Sequence, residues 1–221
     1  MQITDTIPET NPDLITATEL IKQEIASRDA DAFSEYVLKD EKGQPIKNSA
    51  LHREMNWHID ECRRRKLNCG VLLPWRHGKT EQAVISRTLQ WLGENPNNRI
   101  KIVCNSDDNA SARVDTISKY IEYSKEYNEV FPNIEPGDKT QWSRHKIIVK
   151  RNAISKDGSV EAWGVNTSGT GTGCDFLLMD DPVDLRNAIL NPAMRIQVKE
   201  SLKNVWFSRV APEGFKLYIA T

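Results

Sequence analysis

Three consecutive residues, Gly78, Lys79 and Thr80, and two adjacent carboxylates, Asp180 and Asp181, are the groups in this chain best suited to chemistry. Gly78 to Thr80 closes the stretch VLLPWRHGKT, Val71 to Thr80, and good helix formers follow in Glu81, Gln82, Ala83 and Val84. Where a strand turns sharply into a helix N-terminus, unpaired N–H groups and the helix dipole both point at a bound anion. Pro74, Trp75, Arg76, His77, Gly78, Lys79 and Thr80 therefore read as a phosphate cradle. Gly78 lets the backbone approach, Lys79 reaches the terminal phosphates, and the Thr80 hydroxyl can hold Mg²⁺. The usual pattern, G-x-x-x-x-G-K-[ST], is departed from at its first glycine position, which is Leu73.

A tripeptide GKT also occurs as an ordinary exposed lysine at a helix start. Its counterpart downstream narrows the choice. Phe176 to Asp181, FLLMDD, is an apolar run ending in two carboxylates, which suits a buried parallel strand delivering acids to its C-terminal edge. Together the two stretches supply both halves of a nucleotide-hydrolysis site. Asp181 has a second reading as a turn-forming acid before Pro182. Arg113, near the start of a predicted helix, reads either as a surface arginine or as a charge beside the nucleotide or DNA.

The elements that must position these groups alternate between strand and helix. Helical periodicity from Pro12 to Leu38 predicts two short helices broken around Ser27 to Asp31, after a polar, loosely docked start. Lys39 to Asn48 is a loop. Leu51 to Leu67 is a helix with Leu51, Met55, Ile59 and Cys62 on one face, Trp57 expected in the core, and a solvated basic end at Arg63 to Lys66. Gln82 to Leu92 continues the loop as a helix that GENPNN stops. Arg99 to Cys104 is a strand, Ala110 to about Tyr127 a helix, and Lys146 to Lys150 a short strand turning through Asp157 and Gly158 into Ser159 to Val165. A Gly, Ser and Thr-rich loop, Asn166 to Gly173, precedes the acidic strand. Pro192 to Val205 is helical, and Pro212 to Gly214 turn into a last strand, Lys216 to Thr221. The sum is α/β architecture with a mostly parallel central sheet flanked by helices and a small helical N-terminal element, residues 1–50, ahead of a main domain, 51–221.

At 221 residues the chain has room for one sizeable core. Lys plus Arg number 30 against 31 Asp plus Glu, and a net charge of -1 excludes a globally basic nucleic-acid wrapper while leaving local patches open. Cys62, Cys69, Cys104 and Cys174 have no short CxxC spacing, so reduced thiols rather than a zinc site are expected. No apolar run approaches the ~18 residues of a membrane span. A soluble, intracellular protein follows.

Several stretches then fall in a family order: LHRE at Leu51 to Glu54, PWRHGKT at Pro74 to Thr80, WLGENPNNRIKIVC at Trp91 to Cys104, EYNEVFPN at Glu126 to Asn133, TGTGCDFLLMDDPV at Thr170 to Val183 and YIAT at Tyr218 to Thr221. In this order the chain resembles the ATPase half of the large terminase subunit, the DNA-packaging motor of tailed bacteriophages and their prophages. The resemblance implies a RecA-like P-loop fold, ATP and Mg²⁺ as cofactors, and double-stranded viral DNA, the portal and procapsid, and the small terminase subunit as partners. It also implies a homo-oligomeric ring in the cytoplasm of a bacterial host. By the same resemblance Lys79 binds phosphate, Thr80 and Asp180 hold Mg²⁺, Asp181 activates the attacking water, and Ala220 and Thr221 couple hydrolysis to DNA movement.

Departures from the family pattern carry expectations of their own. Trp75 and Arg76 stand where relatives have arginine and glycine, so Arg76 would act on the γ-phosphate from a shifted place. Thr172 replaces a loop arginine, which leaves Arg113 or a neighbouring subunit to supply an arginine finger. The nuclease half of the family would begin past Thr221, so the chain reads as a truncation with no nuclease activity. Another RecA-like helicase or translocase, a small-molecule kinase and a catalytically silent docking module remain alternatives to the motor.

Overall fold

A computed structural model describes residues 12–167, 169, 171–184, 187, 188 and 190–221, without the side chains of 12–15 and 139. The expected loose start at residues 1–11, and Ser168 and Thr170 of the Gly, Ser and Thr-rich loop, lie outside the described residues. Six strands form one sheet: β1 (Cys69–Leu72), β2 (Ile100–Cys104), β3 (Lys146–Ile147), β4 (Val160–Gly164), β5 (Cys174–Asp180) and β6 (Val210–Ala220). Their spatial order is β1-β6-β5-β2-β4-β3, parallel throughout except for β3, which runs antiparallel to β4. Apolar runs such as IKIVC and CDFLLMD suit this arrangement, because a parallel strand with both faces covered has no solvent side to alternate with.

The helices are α1 (Pro12–Arg28), α2 (Ala30–Val37), α3 (Ala50–Arg64), α4 (Arg87–Glu94), α5 (Asp107–Tyr123), α6 (Lys125–Val130) and α7 (Pro192–Glu200). The larger core lies on one sheet face, where Ile100, Ile102, Leu178, Leu217 and Ile219 meet Met55, Ile59, Leu89, Val114 and Ile117. Phe33 and Val37 of α2 belong to the same core, so the N-terminal helices share the sheet's packing. On the other face Val103, Leu177 and Met179 pack against Val198 and Trp206. Trp206 sits in a π-helical stretch, Ser201–Trp206, that continues α7, and its indole N–H donates to the Val165 carbonyl at 2.9 Å.

Four expectations need correction. The helix expected from Ala110 to Tyr127 is two helices, because Ser124 ends α5 and its hydroxyl accepts from the Tyr127 N–H at 3.2 Å to start α6. Pro212 and Gly214 make no turn before the last strand but lie within β6. The register against β5 shifts between Val210 and Phe215 there, which relieves the proline of a ladder bond. A Cβ on Gly214 would stand 2.5 Å from a Val210 methyl and 2.7 Å from the Asp175 carbonyl oxygen, so only glycine fits. The strand expected over Lys146 to Lys150 is only the two residues of β3. Trp57 is not in the core but 66% exposed, since the buried stripe of α3 runs through Met55, Asn56, Ile59 and Cys62.

The basic end of α3 is tied down by ion pairs: Arg63 with Glu94 at 2.8 Å, Arg64 with Glu61 at 2.6 Å and Lys66 with Glu213 at 2.6 Å. The chain leaves α3 through a Schellman turn, with the Leu67 N–H donating to the Cys62 carbonyl at 2.8 Å and the Lys66 N–H to the Arg63 carbonyl at 3.0 Å. Lys66 takes the left-handed position at φ +57°, where a Cβ is strained. Lys66→Gly is expected to stabilise the chain by about 0.5–1 kcal/mol, read as a higher urea midpoint at unchanged m-value. An unchanged or lower midpoint would contradict this.

Candidate active site

The register of β1, β6 and β5 brings the two candidate stretches to one sheet edge. Leu72 pairs with Ala220 and Asp180 with Ile219, so the loop after β1, the end of β6 and the acids ending β5 are neighbours. Lys79 is 5% exposed, and its ammonium donates to Thr221 Oγ1 at 2.5 Å and stands 3.7 Å from Asp181 Oδ2. Thr221 in turn donates its N–H to Asp181 Oδ1 at 2.9 Å. Thr80 Oγ1 lies 3.2 Å from both oxygens of Asp180. Arg113, on α5, donates through Nε to Asp180 Oδ2 at 3.0 Å. Lys79, Thr221 and Asp181 thus form one cluster and Thr80, Asp180 and Arg113 a second, set side by side because Lys79 precedes Thr80 and Asp180 precedes Asp181 in the chain.

The loop itself is shaped by two left-handed residues, Arg76 at φ +63° and Gly78 at φ +65°. Glycine is required at 78 twice over, because a Cβ there would also press on His52 Nε2 at 3.2 Å. His52 Nδ1 accepts from the Ser49 N–H at 3.3 Å, which leaves the ring proton on Nε2 to donate to the His77 carbonyl at 3.2 Å. One histidine therefore caps α3 and fastens the loop. Arg76 is exposed, with its guanidinium 4.5 Å over the Trp75 ring, and Trp75 is 71% exposed. Beyond the loop the chain enters a π-helical stretch, Glu81–Ser86, before α4; wide turns of this kind recur at functional sites.

A cavity of about 1400 Å³ lies beside Thr80 and Arg113, lined also by Arg76, His77 and Gly78 of the loop and by Leu38, Ile46 and Tyr120; Lys79, Asp180, Asp181 and Thr221 are not among its lining residues. Pro74 and Trp75 flank the loop outside it. The segment that the sequence offered only as a loop, Lys39 to Asn48, also lines it, mostly with the charged residues Lys39, Asp40, Glu41 and Lys47, together with α5. Nothing in the local pattern of Ile46 or Tyr120 marks them as lining residues; the packing of α2 and α5 around the loop brings them there.

Asp180 is 1% exposed, and burial raises its carboxyl above the ordinary value against the pull of Arg113 and of the Thr80 hydroxyl. A part-buried hydroxyl and a buried carboxylate facing one another are hard oxygen donors, the set that suits Mg²⁺. The residues present therefore fit that ion, with the phosphates of a nucleotide as its remaining ligands. Asp181 sits just beyond the strand at φ +43°, half-exposed, with its carboxylate turned to Thr221 and Lys79.

No family model and no curated protein matches this chain. Among solved structures it is similar to the large terminase of bacteriophage HK97, at a TM-score of 0.55 and 13% identity, over 88% of this chain and 37% of that one. It is also similar to the ATPase domain of the large terminase of Thermus phage P74-26, at 0.42 and 16%, over 74% of this chain and 80% of that one. The likeness to the HK97 protein supports the fold, an α/β architecture with a mostly parallel sheet flanked by helices. This chain spans little more than a third of that protein's length, and among the described residues no helix is long and apolar enough to cross a membrane.

Proposed function

We propose that this chain is the ATP-hydrolysing motor domain of a large terminase subunit, powering translocation of double-stranded DNA into a procapsid. The observation that carries the reading is the convergence of Lys79, Thr80, Asp180, Asp181 and Thr221 on one sheet edge, with Thr80 also lining an adjoining cavity. The loop backbone and Lys79 hold the β- and γ-phosphates of ATP, and Lys79 offsets the charge that builds on the transferred group. Thr80 and Asp180 would hold Mg²⁺, which when bound would supply further neutralisation of the phosphates. Asp181 orients a water in line with the γ-phosphate. Its left-handed backbone with the Thr221 hydrogen bond sets where its carboxylate stands.

Thr221 touches both Lys79 and Asp181, so a change at the phosphates is felt at the end of β6. Ala220 and Thr221 are on this reading the coupling element. The wider partners of the reading are the portal and procapsid, the small terminase subunit and further copies of the chain in a ring around DNA, in a bacterial cytoplasm; no nuclease chemistry is assigned to these residues.

Steady-state phosphate release with Mg²⁺ tests the reading. Lys79→Ala is expected to lower turnover ~10²–10³-fold with the fold retained by circular dichroism, and Asp181→Asn to lower it while ATP still binds. A wild-type chain that binds ATP through Lys79 without turning it over would sink the ATPase and favour a silent docking module.

A further inference from the structure

We infer that His58, Cys62 and Cys69 form a binding site for a thiophilic divalent cation of the zinc class, on the far side of β1 from the nucleotide loop. His58 and Cys62 are one turn apart on α3, so both side chains leave the same helix face. Cys69 opens β1, and the Schellman turn through Lys66 folds it back against Cys62. The three ligand atoms all lie within 4.8 Å of one another, and Cys62 Sγ is 3.8 Å from His58 Nε2. With Zn–S bonds near 2.3 Å and Zn–N bonds near 2.0–2.1 Å, tetrahedral ligand atoms stand roughly 3.6–3.8 Å apart. One pair already has that spacing, and a modest side-chain rotation closes the rest.

The chemistry of the set is selective. Two sulfurs and an imidazole favour zinc-class ions over Mg²⁺, which prefers the oxygen donors of the nucleotide site. Each thiol gives up its proton to solvent as its metal–sulfur bond forms, so a dication with two thiolates and a neutral imidazole leaves the cluster uncharged. Both cysteines are buried while His58 is exposed, which gives the ion an entry path and leaves the fourth position to water. The pattern H-x3-C-x6-C carries no CxxC, so spacing alone pointed away from zinc. The turn after α3 decides otherwise. A bound ion would clip the end of α3 to the start of the strand that delivers the phosphate loop.

Cobalt titration of the reduced, chelator-treated chain tests this independently of ATP turnover. One equivalent of Co²⁺ is expected to bind with a thiolate-to-cobalt charge-transfer band. That band should be lost in Cys62→Ser and Cys69→Ser and unchanged in Cys174→Ser, a buried thiol elsewhere. His58→Ala, at an exposed position that should fold normally, is expected to weaken Zn²⁺ competition for the site by more than ~100-fold, beyond the cost of losing an outer-shell partner. Absence of a thiolate band in the folded, reduced wild type would overturn the assignment. So would a band that survives Cys69→Ser, or His58→Ala binding as tightly as the wild type.

Discussion

Arg113→Ala is expected to lower ATP turnover by about three orders of magnitude while leaving nucleotide affinity within a small factor, the signature of a charge used in the transition state. Its guanidinium is part-buried at the cavity wall and donates to Asp180, the carboxylate that also faces Thr80. A cation on Thr80 and Asp180 would compete with Arg113 for the same oxygen and free its guanidinium for the phosphates. Arg76 is a weaker candidate because it stacks on Trp75 at the exposed rim. Arg113→Lys should recover only part of the rate, since an ammonium lacks the planar fork. Single-turnover and steady-state rates over a range of protein concentrations check this. A loss below about tenfold, some 1.4 kcal/mol of barrier, with a specific rate that rises with concentration, would instead place the finger on a neighbouring copy.

The largest expected effect on stability is away from the site. Lys101, the second residue of β2, is 1% exposed and pairs with Glu161 directly across on β4, with the ammonium 5.5 Å from the Trp163 ring. Glu161 also accepts from the Gly158 N–H at 2.6 Å and the Trp163 indole at 3.3 Å. Glu161→Gln leaves an ammonium without its counter-charge and is expected to cost about 3–5 kcal/mol, whereas replacing both partners by apolar residues of similar volume should restore most of it. Urea unfolding of Lys101→Met, Glu161→Leu and their combination gives the coupling energy directly. A single-variant loss under about 1 kcal/mol, the range of an exposed pair, would show that the pair is solvated.

The same pair sets a pH dependence. Burial would raise the Glu161 carboxyl, but Lys101 and the hydrogen bonds from Gly158 and Trp163 prevail and hold it below its ordinary value of 4.5. The folded chain therefore binds fewer protons here than the unfolded one. The stability this group contributes is complete above pH 4.5 and is lost as pH falls through the depressed folded value. Acid titration of stability should show a smaller loss in this window for the double apolar variant than for the wild type.

The parts of this protein written locally were legible in its sequence. The alternation of helix and strand, the burial of β2 and β5, the acids at the end of β5 and the Gly-Lys-Thr turn into a helix all follow from short-range pattern, because backbone sterics and the demand to cover both sheet faces act over a few residues. Local pattern erred where one residue could serve two elements, as Ser124 does between α5 and α6, or where helix phase put an aromatic such as Trp57 on the outside.

What only the tertiary structure decided is which distant groups meet. Strand order is chosen by the packing of whole faces, and no stretch of β6 announces that it lies between β1 and β5. Yet that insertion is what joins Thr221 to Lys79 and Asp181. The fold of α5 over the carboxyl edge turns Arg113 from a surface charge into a partner of Asp180, and the register of β2 on β4 gives a buried Lys101 its acid. In each case the deciding energy is that of leaving a charged group buried without a partner. It depends on residues dozens of positions away, and only the folded chain brings them within reach.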